Sequence, residues 1–291
     1  MNAATVAVPL SHDAEEHIMT RTTEGDLQSL KRPEGSVAYE VTGDGPLIVC
    51  VPGMGDLRAS YRFVQGQLVA AGYRVAVTDL RGHGDSDATF TVYGDEPTAS
   101  DIAALIDQLG GPALIVGNSM AAGSAVIVAA EHPDLVSGLA LIGPFVREHG
   151  TPIAMRLVLR LMMAEPWAAA SWSSYLPKLY AGNRPGDFEE YRGAVKATLK
   201  RPGHAKAFSL TTRTRHDAAA AALSAVTAPA MVIMGELDPD FPAPADEAQW
   251  IAGQLHAEVL MVPDAGHYPQ AQRPELVGPA LSAFAEKLGS S

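Results

Sequence analysis

The sequence reads as an α/β protein, with a mostly parallel central sheet flanked by helices and a helical insertion late in the chain. Three observations carry that reading. Short apolar runs (Leu47–Val51, Ala113–Val116, Val136–Ile142, Ala230–Met234 and Val259–Val262) recur with helix-length stretches between them. Such runs are strands buried on both faces, and helices between them imply right-handed crossovers in a parallel sheet. One run passes directly through Gly117-Asn118-Ser119-Met120-Ala121 into the helix-prone segment Ser124–Ala130, a sharp strand-to-helix turn. From Phe145 to Val226 the strand rhythm lapses, and helical, aromatic-rich sequence replaces it.

Composition bounds the function. Of 291 residues, 47% are hydrophobic, ample for a sizeable core. The formal net charge of −12 argues against a nucleic-acid partner, because phosphates would be repelled. The single cysteine, Cys50, lies inside an apolar strand run and reads as a small core residue. The first residues lack a basic stretch leading into an apolar one, and no segment has the length of a membrane span. The expectation is a cytoplasmic protein with a small-molecule substrate and no membrane partner.

In chain order, residues 1–24 show no sustained period and read as an N-terminal arm. Leu27–Leu30 and Val37–Val41 are strand candidates around the turn Arg32-Pro33-Glu34-Gly35. Tyr61–Ala71 reads as a helix, and Arg74–Thr78 as the next strand. Ser100-Asp101 offers a cap for a helix through Leu109, which Gly110-Gly111 stops. Residues 25–144 and 227–291 form the core, and 145–226 the insertion. Beyond it follow a helix over Pro244–Leu255 and a terminal one over Pro274–Leu288.

The chemistry-bearing motifs sit where apolar runs end. At the sharp turn Ser119 occupies the apex, and its neighbours at two removes, Gly117 and Ala121, are small because the arms of the turn nearly touch. This is a nucleophile elbow, with Ala121 standing where a second glycine is usual, and here the chain resembles the α/β-hydrolase superfamily. The resemblance extends to nearly everything after residue 35. Pro52-Gly53-Met54-Gly55 follows the first buried strand, where the family usually begins its loop with His-Gly. The resemblance implies that the backbone N–H groups of Met54 and Met120 form an oxyanion hole. Asp79-Leu80-Arg81-Gly82-His83-Gly84-Asp85-Ser86 matches a structural loop, which makes His83 a supporting residue and not the base. Gly235-Glu236-Leu237-Asp238 selects Asp238 as the acid, with Asp240 a weaker candidate. Asp264-Ala265-Gly266-His267 carries the base, His267. No carboxylate follows Val136–Ile142 until Glu148, so that alternative position for the acid looks closed.

The order Ser119, Asp238, His267 is the superfamily's. A serine hydroxyl needs a base to take its proton, histidine titrates near neutrality, and an aspartate holds the imidazole's tautomer. The resemblance implies an α/β-hydrolase fold whose insertion is a helical cap, and a carboxylesterase-like serine hydrolase acting on an ester or lactone of a small, largely apolar substrate. It implies no metal or organic cofactor. Serine at the apex disfavours epoxide-hydrolase and haloalkane-dehalogenase chemistry. Gly117-Asn118-Ser119-Met120 also resembles the elbow of meta-cleavage-product hydrolases, which split a C–C bond, though their oxyanion loop is longer and richer in glycine. Cofactor-free haloperoxidase or acyl-transfer activity uses the same triad, and a ligand-binding protein on the hydrolase scaffold is the non-enzymatic alternative. Charge is unevenly divided: 12 basic and 6 acidic residues between 145 and 226, against 9 and 27 elsewhere. Either the basic insertion attracts an anionic substrate, or opposite charges seat it on the body and face solvent.

Overall fold

The computed structural model describes residues 25–148, 150 and 153–290; the expected N-terminal arm lies outside them. Their strands are β1 (Gln28–Arg32), β2 (Gly35–Thr42), β3 (Leu47–Val51), β4 (Arg74–Thr78), β5 (Ala113–Asn118), β6 (Val136–Ile142), β7 (Ala230–Gly235) and β8 (Glu258–Val262). They form an eight-stranded sheet in the order β1-β2-β4-β3-β5-β6-β7-β8. Pairings β1–β2 and β2–β4 are antiparallel, and the rest are parallel. The expected turn at Arg32-Pro33-Glu34-Gly35 is present and tighter than expected: Arg32 and Gly35 pair as strand residues, leaving Pro33-Glu34 as the loop.

Side chains alternate along a strand, so each buried run feeds two cores. In β3, Leu47, Val49 and Val51 pack with Ile102, Ile106 and Val126 on one side of the sheet. Ile48 and Cys50 pack with Tyr61, Leu68, Leu281 and Phe284 on the other. Each fully buried aliphatic or aromatic side chain contributes roughly 1.5–3 kcal/mol. Cys50 is fully buried, as its apolar setting implies.

The helices of the described residues are α1 (Arg62–Ala70), α2 (Asp95–Leu109), α3 (Met120–Glu131), α4 (Ile153–Met162), α5 (Ala168–Leu179), α6 (Phe188–Leu199), α7 (His204–Thr211), α8 (Asp217–Ala222), α9 (Pro244–Leu255), α10 (Pro269–Gln272) and α11 (Pro274–Gly289). Helix α2 corrects the sequence reading, because it starts at Asp95 and not at the Ser100-Asp101 cap. Asp95 and Glu96 put negative charge at its N-terminal dipole end. Pro97 sits in the first turn, where its missing N–H needs no partner. Ser100 is therefore inside the helix, and its Oγ accepts from Arg32 Nη2 at 2.6 Å. Gly110 ends the helix in the left-handed region, at φ 75°.

Helices α4–α8 lie between β6 and β7. Their aromatic residues form one cluster: Trp172, Tyr180, Phe188, Tyr191 and Phe208 pack together and take in Tyr268 from the body. The segment's charges cross to the body as well. Arg62 of α1 makes two hydrogen bonds to the Asp187 carboxylate, each 2.7 Å, and Arg201 donates to Gly84 O at 2.6 Å and to Asp85 at 3.1 Å. Arg147 makes paired hydrogen bonds to Glu247, and its guanidinium lies over the Trp250 ring. These pairs favour the seating role for the uneven charge over attraction of an anion. No helix among the described residues is long and apolar enough to cross a membrane.

Candidate active site

The turn between β5 and α3 forces Ser119 to φ 59°, ψ −124°, a backbone strain on the order of 1–3 kcal/mol for a non-glycine residue. Surrounding contacts hold it there. A side chain at Gly117 would lie 2.7 Å from Ala121 O, and one at Gly53 would lie 2.8 Å from Ser119 Cβ. Ala121 is fully buried in its place, so the methyl is accommodated. The Ser119 N–H donates to Ile142 O at 2.8 Å, tying the elbow to the end of β6.

His267 stands on the loop after β8. The preceding elbow residue, Asn118, donates from Nδ2 to His267 O at 3.2 Å and to Ile142 O at 3.1 Å, which fixes that loop beside the elbow. His267 Nδ1 lies 2.7 Å from Asp238 Oδ2, and both side chains are buried. Asp240 is farther, 3.9 Å from the same nitrogen; its Oδ1 accepts from the Tyr175 hydroxyl at 2.9 Å. The structure thus joins Asp238, and not Asp240, to the imidazole. Gly143, at the end of β6, is in the left-handed region at φ 49°, and a side chain there would come within 3.0 Å of His267 Nδ1. The Ser119 hydroxyl makes no hydrogen bond among the described residues; in empty sites such bonds are often long and tighten on substrate.

Burial disfavours charge on His267, but Asp238, then Asp240 and Asp56, more than offset it and raise its pKa above the ordinary histidine value. Asp238, Asp240 and His267 each offer an atom within 4.8 Å of the others. Metal ligation would need an ion at about 2.0–2.2 Å from each donor with Nδ1 deprotonated. The 2.7 Å separation of Nδ1 and Oδ2 is instead that of a charge-assisted hydrogen bond.

Neither the Met54 nor the Met120 N–H donates a hydrogen bond among the described residues. Met120 follows Ser119 directly, and Gly53, the residue before Met54, lies against the Ser119 side chain. The loop carrying Met54 is held from the helical segment: Trp172 Nε1 donates to Gly55 O at 2.6 Å. Next to it Asp56 is fully buried, and the Tyr191 hydroxyl donates to its Oδ1. Burial pushes the Asp56 carboxyl up to about 6, against the opposing Tyr191, Leu57 and Arg62. His83 faces none of this chemistry. Its Nδ1 lies 3.0 Å from Arg81 O, and burial lowers its pKa to about 4.

Residues 48–280 match the alpha/beta hydrolase family. The chain belongs to that family. This hydrolase is 30% identical over 251 residues to the 2-(acetamidomethylene)succinate hydrolase of Mesorhizobium japonicum, covering 83% of this chain and 88% of that protein. It is 31% identical over 167 residues to the 2-hydroxy-6-oxo-6-phenylhexa-2,4-dienoate hydrolase of Comamonas testosteroni, covering 51% of this chain and 57% of that protein. In fold it is similar to an esterase from Thermogutta terrifontis, at a TM-score of 0.76 and 24% identity, over 90% of this chain and 97% of that one.

Sequence reasoning missed three features of the hydrolase's site: Trp172 on Gly55 O, Asp56 with Tyr191, and a second Asp–His pair, Asp95 with His216. All three join the helical segment to the body across long sequence separations. For the first, the sequence offered only the glycine-rich loop Pro52-Gly53-Met54-Gly55. Gly55 is in the left-handed region at φ 72°, and a side chain there would lie 2.5 Å from the Trp172 ring.

Proposed function

We propose that the chain is a serine hydrolase that cleaves an ester or lactone of a small, largely apolar substrate through an acyl-enzyme on Ser119. The observation that carries this is the 2.7 Å Asp238–His267 bond on a loop tied to the elbow through Asn118. Ser119 Oγ attacks the carbonyl carbon as His267 Nε2 takes its proton. The N–H groups of Met54 and Met120 receive the negative oxygen of the tetrahedral intermediate. His267 then returns the proton to the departing alcohol, and the acyl group remains on Ser119. Water attacks the acyl-enzyme with His267 again as base, releasing the acid and restoring the hydroxyl. Asp238 holds Nδ1–H and stabilises the imidazolium in both halves. Helices α4–α8 act as a lid, excluding water and strengthening the polar contacts inside.

The C–C hydrolase reading stays as a second one, because the Comamonas relative's name is that of a dienoate hydrolase. The shorter loop Pro52-Gly53-Met54-Gly55 favours the ester. A fluorophosphonate probe should label the chain and fail to label Ser119→Ala. Rates on p-nitrophenyl esters, simple lactones and a vinylogous diketone then separate the two: turnover of the diketone alone sinks the ester reading.

A further inference from the structure

A second buried histidine–carboxylate pair lies close to the first. His216 Nδ1 is 2.8 Å from Asp95 Oδ2, and both side chains are buried. The pair is built in from several sides. Asp95 opens α2, and His216 immediately precedes α8. Gly123 of α3 makes the approach possible: a side chain there would sit 2.6 Å from Phe145 O and 3.2 Å from Asp95 Oδ2. Phe145 carries the link to the candidate active site. Its ring centroid is 5.5 Å from that of His216 and 6.0 Å from that of His267, and its N–H donates to Ser119 O at 3.2 Å. Two residues before His216, Thr214 Oγ1 contacts Met120 Sδ at 3.5 Å, the side chain next to Ser119.

We propose that the Asp95–His216 pair is a hydrogen-bond-accepting subsite that takes a hydroxyl or amide N–H on the part of the substrate remote from the cleaved bond. With Nδ1–H donated to Asp95, the imidazole keeps a lone pair at Nε2 for a donor to use. That nitrogen makes no hydrogen bond among the described residues. The second carboxylate oxygen, Asp95 Oδ1, is buried and has no partner. Carboxylates outnumber cations near the pair: Asp95 itself, Glu96 and Glu148, which act on Asp95, against Arg215, which interacts with Glu148; Glu148 Oε1 also accepts from the backbone N–H of His216 at 3.1 Å. A donor group finds partners there, whereas a carboxylate meets like charge. Asp95 acts as a positioning residue, fixing the ring and its tautomer, and His216 is the contact to substrate.

The proposal rests on Ser119 being the nucleophile. The test uses the intact chain and p-nitrophenyl esters of matched length whose acyl chains end in a methyl, a hydroxyl or a carboxylate. The wild type should favour the hydroxyl-ended ester over the methyl-ended one roughly ten-fold in kcat/KM, chiefly through KM. His216→Phe should bring the two esters level, while His216→Gln, which keeps an acceptor, should retain part of the preference. A purely structural pair would lower both rates together and leave their ratio intact. That result, or a wild-type preference for the carboxylate-ended ester, overturns the proposal. If no ester is turned over, the nucleophile assignment fails separately. Heat stabilisation by hydroxyl-ended against methyl-ended methyl ketones then decides the subsite: a preference lost in His216→Phe supports it, and none in the wild type overturns it.

Discussion

Two imidazoles, each leaning on a buried carboxylate at nearly the same distance, lie on either part of this molecule. Asp238–His267 is made wholly by loops at the ends of β7 and β8, and one side-chain amide fastens its backbone to the elbow. Asp95–His216 bridges the helix after β4 and the stretch leading back from the helical segment. The pairing chemistry is the same, and the difference lies in what holds each ring still. The first stands on loops at the ends of two sheet strands and makes one backbone bond to the helical segment, at Leu179 O. The second depends on how the helical segment sits, which suits recognition of a substrate rather than attack on it.

Substitutions at the first pair and its proposed nucleophile should have the largest effects. Ser119→Ala should lower kcat by about 10⁴- to 10⁶-fold with the fold unchanged, read by ester turnover alongside circular dichroism. Retention of near-native turnover would remove Ser119 from the mechanism. Asp238→Asn should cost about 10⁴-fold in kcat through the wrong imidazole tautomer, and Asp240→Asn far less; equal losses would mean that the two carboxylates share the role. Trp172→Phe keeps the packed ring but deletes the donor to Gly55 O. It should lower kcat about ten-fold, in line with one lost hydrogen bond at the loop carrying Met54. A change in KM alone would place Trp172 in substrate binding.

The smallest effect sharpens the electrostatic side. The base must be neutral to act, so kcat/KM should rise with pH through the pKa of His267 and fall as pH drops below it. The neighbouring carboxylates raise that pKa. Asp240→Asn removes one of these charges, so the acidic limb should move to lower pH. An unmoved limb would show that Asp240 is not charged in the working enzyme.

What the sequence discloses follows the same division. Strand runs such as Leu47–Val51 announce themselves because burial on both faces leaves no room for polar residues. The elbow does so because close approach of its arms permits only small neighbours, and the pairing of Asp238 with His267 was legible from local motifs at strand ends. Helix α2 was misplaced because Ser100-Asp101 looks like a cap, while the true start at Asp95 has Gly94, not a side-chain cap, before it. Asp95 and His216 were out of reach for another reason. They are 121 residues apart, and neither sits in a motif that refers to the other. Their meeting depends on packing of the helical segment, which local periodicity does not encode.

The indole hydrogen bond from Trp172 to Gly55 O has one further consequence. It attaches α5 to the backbone between the Met54 amide and Asp56, while the end of α5 accepts the His267 N–H through Leu179 O at 2.8 Å. One helix thus holds both the backbone next to Met54 and the backbone of His267. If Met54 and His267 act as proposed, any displacement of that helix would shift both at once, so turnover should depend on where α5 sits.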